Sequence, residues 1–250
     1  MTNYKTLIKS FFLMEVRNKQ ALIMGVVFPV IMLLFMGIAG KSESRGNMSY
    51  MAYILPGILG MSYASTGLIS FPIMVSSYRE NGFLKFLKVT PIKISKVISA
   101  LVATQLVLMT LQTFLLLIVC NFILKLGLKF EFDNIIWLIV ILFFSSLALV
   151  LLGLNISILS KNVKNTSIFG NLSNLILTFL GGAFFPTDVW PFYLQPIVKL
   201  NPITHMVSML RSTLLFSNFK VLDGLNNLGF LFLIICLSFL GAYKMFTYEL

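Results

Sequence analysis

Six long stretches of the sequence contain no charged residue, and the charged residues cluster in the segments between them. Each stretch holds at least 20 residues. A helix of that length, rising about 1.5 Å per residue, crosses a hydrocarbon layer about 30 Å thick. A charge at the centre of a bilayer costs about 2.5–3.5 kcal/mol, which explains the clustering. The uncharged stretches are 20–40, 46–78, 97–124, 134–160, 165–187 and 224–243.

This pattern predicts an all-α integral membrane protein with six transmembrane helices in one domain, residues 1–250. Backbone groups within a bilayer must pair internally, and long helices achieve this. A membrane barrel would instead show short segments of alternating hydrophobicity. The predicted spans are 21–40, 53–77, 97–124, 135–160, 165–184 and 225–243.

Composition agrees with a membrane location. The chain is 58% hydrophobic and 11% charged, whereas soluble domains carry about 25% charged residues. A soluble domain of 250 residues could not bury so much apolar surface. A soluble enzyme, a disulfide-stabilised secreted domain and a disordered chain are therefore excluded.

The basic residues predict the orientation. With the N-terminus inside the cell, twelve Lys and Arg residues lie on the inner side and seven on the outer side. Because basic residues favour the cytoplasmic side, we expect a multi-pass protein of the cell (plasma) membrane with both termini in the cytoplasm. The net charge of +11 then follows from this asymmetry and from contact with anionic lipid, and it requires no nucleic acid partner.

Two charged segments on the inner side carry amphipathic patterns. The N-terminal segment 1–20 predicts an interfacial helix, because its apolar residues fall on one helical arc. These residues are Tyr4, Leu7, Ile8, Phe11 and Met14. Segment 79–91 predicts a short cytoplasmic helix that ends before its proline. That helix would either dock a soluble partner or lie on the lipid surface, and the residues alone favour neither.

The segment 185–212, between the fifth and sixth spans, is both apolar and interrupted. The pair Gly181-Gly182 breaks the fifth helix. Prolines then recur every five or six residues, at Pro186, Pro191, Pro196 and Pro202. Such a stretch is too broken to cross the bilayer and too apolar for open water, so we expect re-entrant outer helices.

Residues for chemistry inside the membrane are missing. All eight acidic residues lie in predicted loops or termini, and His205 is the single histidine. Ion-driven transport usually requires an ionisable group within the membrane, and intramembrane proteolysis requires a catalytic pair or metal ligands. The sequence also contains no phosphate-binding G-x-x-x-x-G-K-[ST] loop. We expect no catalytic residue, no metal site and no ATP hydrolysis by this chain alone.

Polar residues within two predicted spans carry the remaining signal. Ser167, Asn171, Asn174 and Thr178 share one face of the fifth span, and Gln105 and Gln112 lie two turns apart in the third. Polar groups in lipid seek protein partners or water, so the stripe would either bond neighbouring helices or line a substrate pathway. The thirteen methionines are expected as helix filler, with an adaptable apolar cavity as the alternative.

Three motifs, in order along the chain, resemble the membrane subunits of type-2 ABC exporters. The first is Arg17-Asn18-Lys19 before a span containing Phe28-Pro29, and the second is the loop from Tyr78 to Pro91. The third runs from Asn201-Pro202 to Leu210-Arg211, with Phe184-Phe185-Pro186 and Pro191 before it. The likeness covers essentially the whole chain. Lys85 and Ser208 depart from the family pattern, which has acidic residues at both positions.

The resemblance implies that two such subunits, either two copies or two related permeases, pair in the lipid bilayer. Each would dock a separate ABC nucleotide-binding subunit, which carries ATP and Mg, through the N-terminal helix and the coupling helix 79–91. The residues implied in this coupling are Arg79, Glu80, Gly82, Phe83, Phe86, Leu87, Thr90 and Pro91. The resemblance implies that the stripe Ser167, Asn171, Asn174 and Thr178 faces either the substrate pathway or the second permease of the pair. The outer motif comprises Asn201, Pro202, His205 and Arg211.

The function implied by the resemblance is ATP-driven export. The start of the first span resembles drug and antibiotic exporters more than polysaccharide exporters. The expected cargo is therefore a hydrophobic or amphipathic compound, such as a drug, an antibiotic, a peptide or a lipid-like molecule. The alternative is a non-transporting membrane immunity or sensor subunit. An intramembrane enzyme is the least supported interpretation, since no catalytic group of residues can be drawn.

Overall fold

A computed structural model describes residues 4–17, 25, 27–39, 50–84, 92–124, 132–184, 187–215 and 221–246. Within these ranges the protein is helical and contains no β-strand. This confirms the predicted all-α class.

Ten α-helices follow one another along the described part of the chain. In the N-terminal half these are α1 (Tyr4–Arg17), α2 (Phe28–Ala39), α3 (Tyr50–Ser65), α4 (Phe71–Glu80) and α5 (Ile94–Ile118). The C-terminal half contains α6 (Phe132–Leu159), α7 (Val163–Leu180), α8 (Gln195–Lys199), α9 (Pro202–Leu214) and α10 (Val221–Phe246). Shorter helical turns are the π-helical Thr66–Ser70 and Val119–Ile123 and the 3₁₀-helical Thr187–Val189.

Four helical segments are long and apolar enough to cross a membrane, and they correspond to the second, third, fourth and sixth predicted spans. They are Tyr50–Glu80, Ile94–Phe122, Asn134–Leu159 and Val221–Lys244. Helix α2 is apolar but has only 12 residues in the described part of the chain. Helix α7 has 18 residues, but its asparagines make it too polar to qualify by composition. The six-span arrangement therefore stays a prediction.

The second predicted span is one long helix with a single irregular turn. Helices α3 and α4 are joined by the π-helical turn Thr66–Ser70. Pro72 has no N–H to bond the carbonyl of Leu68, so the regular hydrogen-bond ladder is broken at this turn. Pro56, by contrast, is buried within α3 and does not end that helix.

Helix α6 is the central helix of the fold and packs against α4, α5, α9 and α10. The turn Thr66–Ser70 approaches its backbone closely, because α6 carries a glycine at the contact. A Cβ atom added at Gly153 would lie 1.9 Å from the Gly67 carbonyl oxygen. On the other side, a Cβ added at Gly170 of α7 would lie 2.4 Å from the Leu68 carbonyl oxygen. The π-helical turn thus packs between α6 and α7, with its backbone in close contact with the backbone of both helices.

Helix α1 packs on the rest of the protein through the middle of the predicted apolar arc. It lies against α5, with Phe11 buried and Leu7 and Ile8 packed on the core. Tyr4 is 41% exposed and Met14 50% exposed, so these two residues of the apolar arc are free to contact lipid, and the interfacial position of the helix stays a prediction. Tyr4 is the first residue of the helix and Met14 lies at the edge of the arc, where α5 does not cover them.

The segment after α7 is broken into short helices, as its glycines and prolines predict. Helix α7 ends at Leu180, and Gly182 adopts a left-handed conformation with φ of 73°. The turn Thr187–Val189 and helices α8 and α9 follow, and α9 packs against α3, α6 and α10. The re-entrant depth of this segment in a membrane stays a prediction, as does the interfacial position of α1.

Candidate functional site

The end of α4 is hydrogen-bonded to the connection between α6 and α7. The Arg79 guanidinium donates to the Ser160 carbonyl oxygen. The backbone N–H of Val163, the first residue of α7, donates to the Glu80 carboxylate at 2.5 Å. A carboxylate at a helix N-terminus is favoured by the unpaired N–H groups and by the helix dipole. Two of the residues implied in coupling, Arg79 and Glu80, therefore join the end of α4 to the α6–α7 connection and to the start of α7.

A buried cluster of three hydroxyl groups lies one turn deeper along the same helix face. The Ser76 hydroxyl is 2.9 Å from that of Ser157 on α6 and 2.7 Å from that of Thr166 on α7. All three side chains are buried. Ser76, Arg79 and Glu80 are spaced i, i+3 and i+4, so they share one face of the helix. We call these contacts the α4–α7 junction, formed by Ser76, Arg79, Glu80, Ser157, Ser160, Val163 and Thr166.

The first two residues of the predicted coupling helix, Arg79 and Glu80, are part of α4. Arg79 and Glu80 belong to the last turn of α4, and Gly82 ends it with a left-handed φ of 72°. Helical geometry resumes only at Phe83. The boundary predicted at Arg79 is therefore corrected, because α4 continues through it. Of the other residues implied in coupling, Phe86, Leu87, Thr90 and Pro91 lie outside the described residues.

Contacts between three aromatic rings connect α1 with the end of α4 and with Phe83 of the predicted coupling helix. The ring centroids of Phe11 and Tyr78 are 6.5 Å apart, and those of Tyr78 and Phe83 are 5.1 Å apart. Leu84, the next residue, is buried. Helix α1 and Phe83 therefore pack on the same end of α4.

A cavity of about 350 Å³ lies between α1, α2, the second predicted span and α5. Its polar lining comes from four helices and includes Glu15, Ser62, Thr66, Gln105, Gln112 and Asn174. Its apolar lining includes Phe28, Met32, Met61, Phe71, Met74 and Leu108. The two glutamines predicted on one face of the third span thus do share a face, and that face borders the cavity.

Glu15 is a charged residue at the border of this cavity. Among the described residues it forms no hydrogen bond and no ion pair. It lies near enough to Tyr78 to act on its hydroxyl electrostatically. Burial raises the pKa of the Glu15 carboxyl above its ordinary value, because the charged form has lost water without gaining a partner.

The polar stripe of α7 is only partly directed at the cavity. Asn171 is exposed and donates to the Ser167 carbonyl oxygen at 2.7 Å. Thr178 is buried and donates to the Asn174 side chain at 3.3 Å. Asn174 lines the cavity. These i, i+4 contacts agree with the predicted common face, although one of the four residues reaches the cavity.

The outer motif holds α9 in place through contacts with four other helices. Asn201 caps α9 by accepting from Ile203 N–H at 2.9 Å, and its amide donates to the Leu177 carbonyl oxygen of α7 at 2.7 Å. Pro202 occupies the first turn, where its missing N–H is no loss. The asparagine and proline of the motif therefore act as a helix cap that is bound to the end of α7.

His205 and Arg211 extend these contacts to α10 and α3. The His205 ring nitrogens lie 2.7 Å from the Asn227 side-chain oxygen and 2.8 Å from the Lys199 carbonyl oxygen. Arg211 donates to the Gly182 carbonyl oxygen at 2.9 Å, and its guanidinium lies 4.6 Å from the centre of the Tyr53 ring. Asn201, His205 and Arg211 thus bind α9 to other helices, and Pro202 belongs to the first turn of α9.

Sequence reasoning missed several of the residues that shape these sites. Ser157 and Thr166 give no signal alone, since single hydroxyl residues are common in membrane helices. In the sequence, Glu15 interrupts the apolar arc of α1. That interruption was the available signal, because an acidic residue on an otherwise apolar face needs a polar surrounding.

Among the described residues, no group of three His, Cys, Asp or Glu side chains could hold a metal ion.

Long apolar helices around a cavity with polar groups in its wall describe an integral membrane protein. Residues 2–215 match the ABC-2 type transporter family, and the chain belongs to that family. A similar protein is "Putative transport permease ycf38" of Cyanophora paradoxa, which is 25% identical over 229 residues. That match covers 90% of this chain and 78% of the relative. The chain is thus a permease subunit of a family whose members work with ABC ATPase subunits.

Proposed function

We propose that this chain is the membrane-spanning subunit of an ATP-driven exporter in the plasma membrane. It moves a hydrophobic or amphipathic compound, such as a drug, an antibiotic, a peptide or a lipid-like molecule, out of the cell. ATP and Mg are bound by a separate nucleotide-binding subunit, since the sequence contains no phosphate-binding loop of its own. Both termini face the cytoplasm, where that subunit docks.

The α4–α7 junction is the observation that carries this proposal. Arg79 and Glu80 join the end of α4 to the start of α7 immediately before the coupling segment. A force applied to the segment after Gly82 therefore reaches two helices at once. Both border the cavity, α4 through Phe71 and α7 through Asn174. Closure of the ATPase subunits would shift the two helices together and reshape the cavity.

The surface of α7 that the rest of the protein leaves exposed supports pairing with a second permease. Six large apolar side chains of this helix are exposed: Ile168, Phe169, Leu172, Leu175, Ile176 and Phe179. Such a surface needs either lipid or another protein against it. We propose that a second copy or a related permease covers part of it, so that the substrate pathway runs next to the α7 stripe.

Purification of the tagged chain from its native membranes in mild detergent tests the proposal. We expect MgATP hydrolysis in the purified fraction. The same purification from cells that lack the tagged chain should yield no such hydrolysis. A fraction with the intact chain and no associated ATPase would contradict the exporter and would favour the immunity or sensor alternative. Arg79→Ala serves as the internal comparison, because it removes one bond of the junction and should weaken the response of the ATPase to cargo.

A further inference from the structure

The cavity has the size and the mixed lining of a site for a small organic molecule. Its volume of about 350 Å³ falls within the range of about 300–1,000 Å³ that is usual for ligand pockets. The wall combines two phenylalanine rings, Phe28 and Phe71, with three methionines. Methionine side chains are flexible and polarisable, so they adapt to apolar bodies of different shape. The apolar wall therefore suits an amphipathic molecule.

The two glutamine amides in the wall have unused hydrogen-bonding capacity. Within the described ranges, the side chains of Gln105 and Gln112 form no hydrogen bond, although both border the cavity. A polar group that is removed from bulk water is stabilised by a partner. A ligand with one or two polar groups would provide that partner, whereas a purely hydrocarbon ligand would not.

The charged residue in the cavity lining determines whether a positive or a negative ligand is favoured. Glu15 is the charged residue among the described residues that line the cavity, and no basic side chain among them accompanies it. It is half-buried and lacks an ion-pair partner in the described part of the chain. In a protein of net charge +11, a cation at this place would contact a carboxylate that has no ion-pair partner among the described residues.

The position of Glu15 also gives the ligand an orientation. Glu15 acts on Tyr78, which lies one turn beyond Met74, so the carboxylate lies at the Met74 end of the cavity. Ile58 marks the other end, roughly 24 Å away along the helix at 1.5 Å per residue. Apolar side chains line the cavity from Phe71 and Met74 at the carboxylate end to Met61 and Ile58, so the apolar body of a ligand would extend from Glu15 towards Ile58.

We infer that the cavity binds an amphipathic organic cation, with its positive group against Glu15 and its apolar body between the phenylalanine and methionine side chains. This inference deepens the proposed export function and rests on it, since it assigns a charge class to the cargo. Anionic compounds are disfavoured at the same site, because their charge would be repelled by the carboxylate.

Binding of fluorescent probes to the full-length chain in lipid nanodiscs tests this inference. Rhodamine 6G is the cationic probe, and Nile red is the neutral apolar probe. Hydrogen bonds to charged groups contribute about 1.5–3 kcal/mol, so Glu15→Gln should raise the Kd for rhodamine 6G by about tenfold or more. The Kd for Nile red should stay within about twofold of the wild-type value, since the apolar wall is unchanged. An unchanged Kd for rhodamine 6G would overturn the inference.

Three further variants separate a charge effect from a folding effect. Glu15→Asp keeps the charge and should retain most of the rhodamine 6G affinity. Asp223→Asn removes an exposed acid from the first turn of α10 and should leave both probes unaffected. Met61→Trp fills the cavity and should weaken both probes. If Met61→Trp leaves both probes bound as in the wild type, the cavity is not the site and the inference fails.

The same measurements distinguish the inference from the proposed function, because probe binding requires no nucleotide. Charge-dependent binding without any ATP-driven transport would contradict the exporter alone. ATP-driven transport of rhodamine 6G with equal activity in the wild type and Glu15→Gln would contradict the charge assignment alone.

Discussion

The carboxylate of Glu80 accepts a hydrogen bond at 2.5 Å from the backbone N–H of Val163, although the two residues are 83 positions apart. Glu80 ends α4 and Val163 begins α7, so the bond joins the last residue of one helix to the first residue of another. The second capping contact is local, with the Asn162 side chain accepting from Asn165 N–H at 2.8 Å. The start of α7 is therefore fixed partly by a residue of the coupling region.

Replacing Glu80 with Gln should weaken coupling without preventing membrane insertion. An acid at a helix N-terminus contributes about 0.3–1 kcal/mol, which corresponds to about a two- to fivefold fall in ATP hydrolysis that is stimulated by cargo. Hydrolysis by the reconstituted complex measures this effect. Asp223→Asn is the control, since it removes an exposed acid near the start of α10. Equal stimulation in Glu80→Gln and the wild type would show that the bond has no part in coupling.

Replacing Ser76 with Ala should lower the stability of the chain. The Ser76 hydroxyl is hydrogen-bonded to two buried hydroxyl groups, those of Ser157 and Thr166. Hydrogen bonds between membrane helices contribute about 0.6 kcal/mol on average and at most about 1.7 kcal/mol. We expect a lower Tm for the detergent-purified variant, measured by intrinsic fluorescence. Ser95→Ala, at an exposed position in the first turn of α5, should leave the Tm unchanged. A shift of the same size in both variants would argue against the buried cluster.

A methyl group at Gly153 should disrupt the packing of α6 against the π-helical turn. The added Cβ would lie 1.9 Å from the carbonyl oxygen of Gly67, and backbone at this distance must move. Overpacking typically costs about 1–3 kcal/mol. Gly153→Ala should therefore accumulate less in the membrane and unfold at a lower temperature. Gly229→Ala is the matched control, because no atom lies within 4 Å of its added Cβ. Wild-type behaviour of Gly153→Ala would refute the close contact.

Replacing Gly82 with Ala should impair coupling through the backbone alone. No atom lies within 4 Å of a Cβ added there, but the φ of 72° is unfavourable for alanine. Left-handed conformations cost such residues about 1–2 kcal/mol, whereas asparagine adopts them more readily. ATP hydrolysis that is stimulated by cargo should fall in Gly82→Ala and recover in part in Gly82→Asn. If asparagine is no better than alanine, the left-handed turn is not the cause.

The sequence predicts well the features that depend on local pattern. The length and apolarity of α6 and α10 and the break at Gly181-Gly182 each follow from a few neighbouring residues. The fifth span is the harder case, because Asn165, Asn171 and Asn174 lower its apolarity below that of a typical membrane helix. The polar face that makes α7 interesting for transport is the same feature that weakens its signal as a span.

Features that depend on distant pairing could not be predicted from the sequence. Ser157 and Thr166 meet Ser76 only because α6 and α7 both pack on α4. The continuation of α4 through Arg79 depends on the bonds that Arg79 and Glu80 make with the α6–α7 connection. The role of Glu15 likewise required the position of α1 against the cavity, which no periodicity in α1 alone could supply.

ATP-dependent uptake of rhodamine 6G by inside-out vesicles from native cells tests the central claim most directly. In such vesicles, export from the cell becomes accumulation inside the vesicle. We predict accumulation that requires MgATP and this chain, and that persists when ionophores collapse the proton and sodium gradients. Accumulation that proceeds without nucleotide and stops with the ionophores would contradict a permease that takes its energy from a bound ATPase.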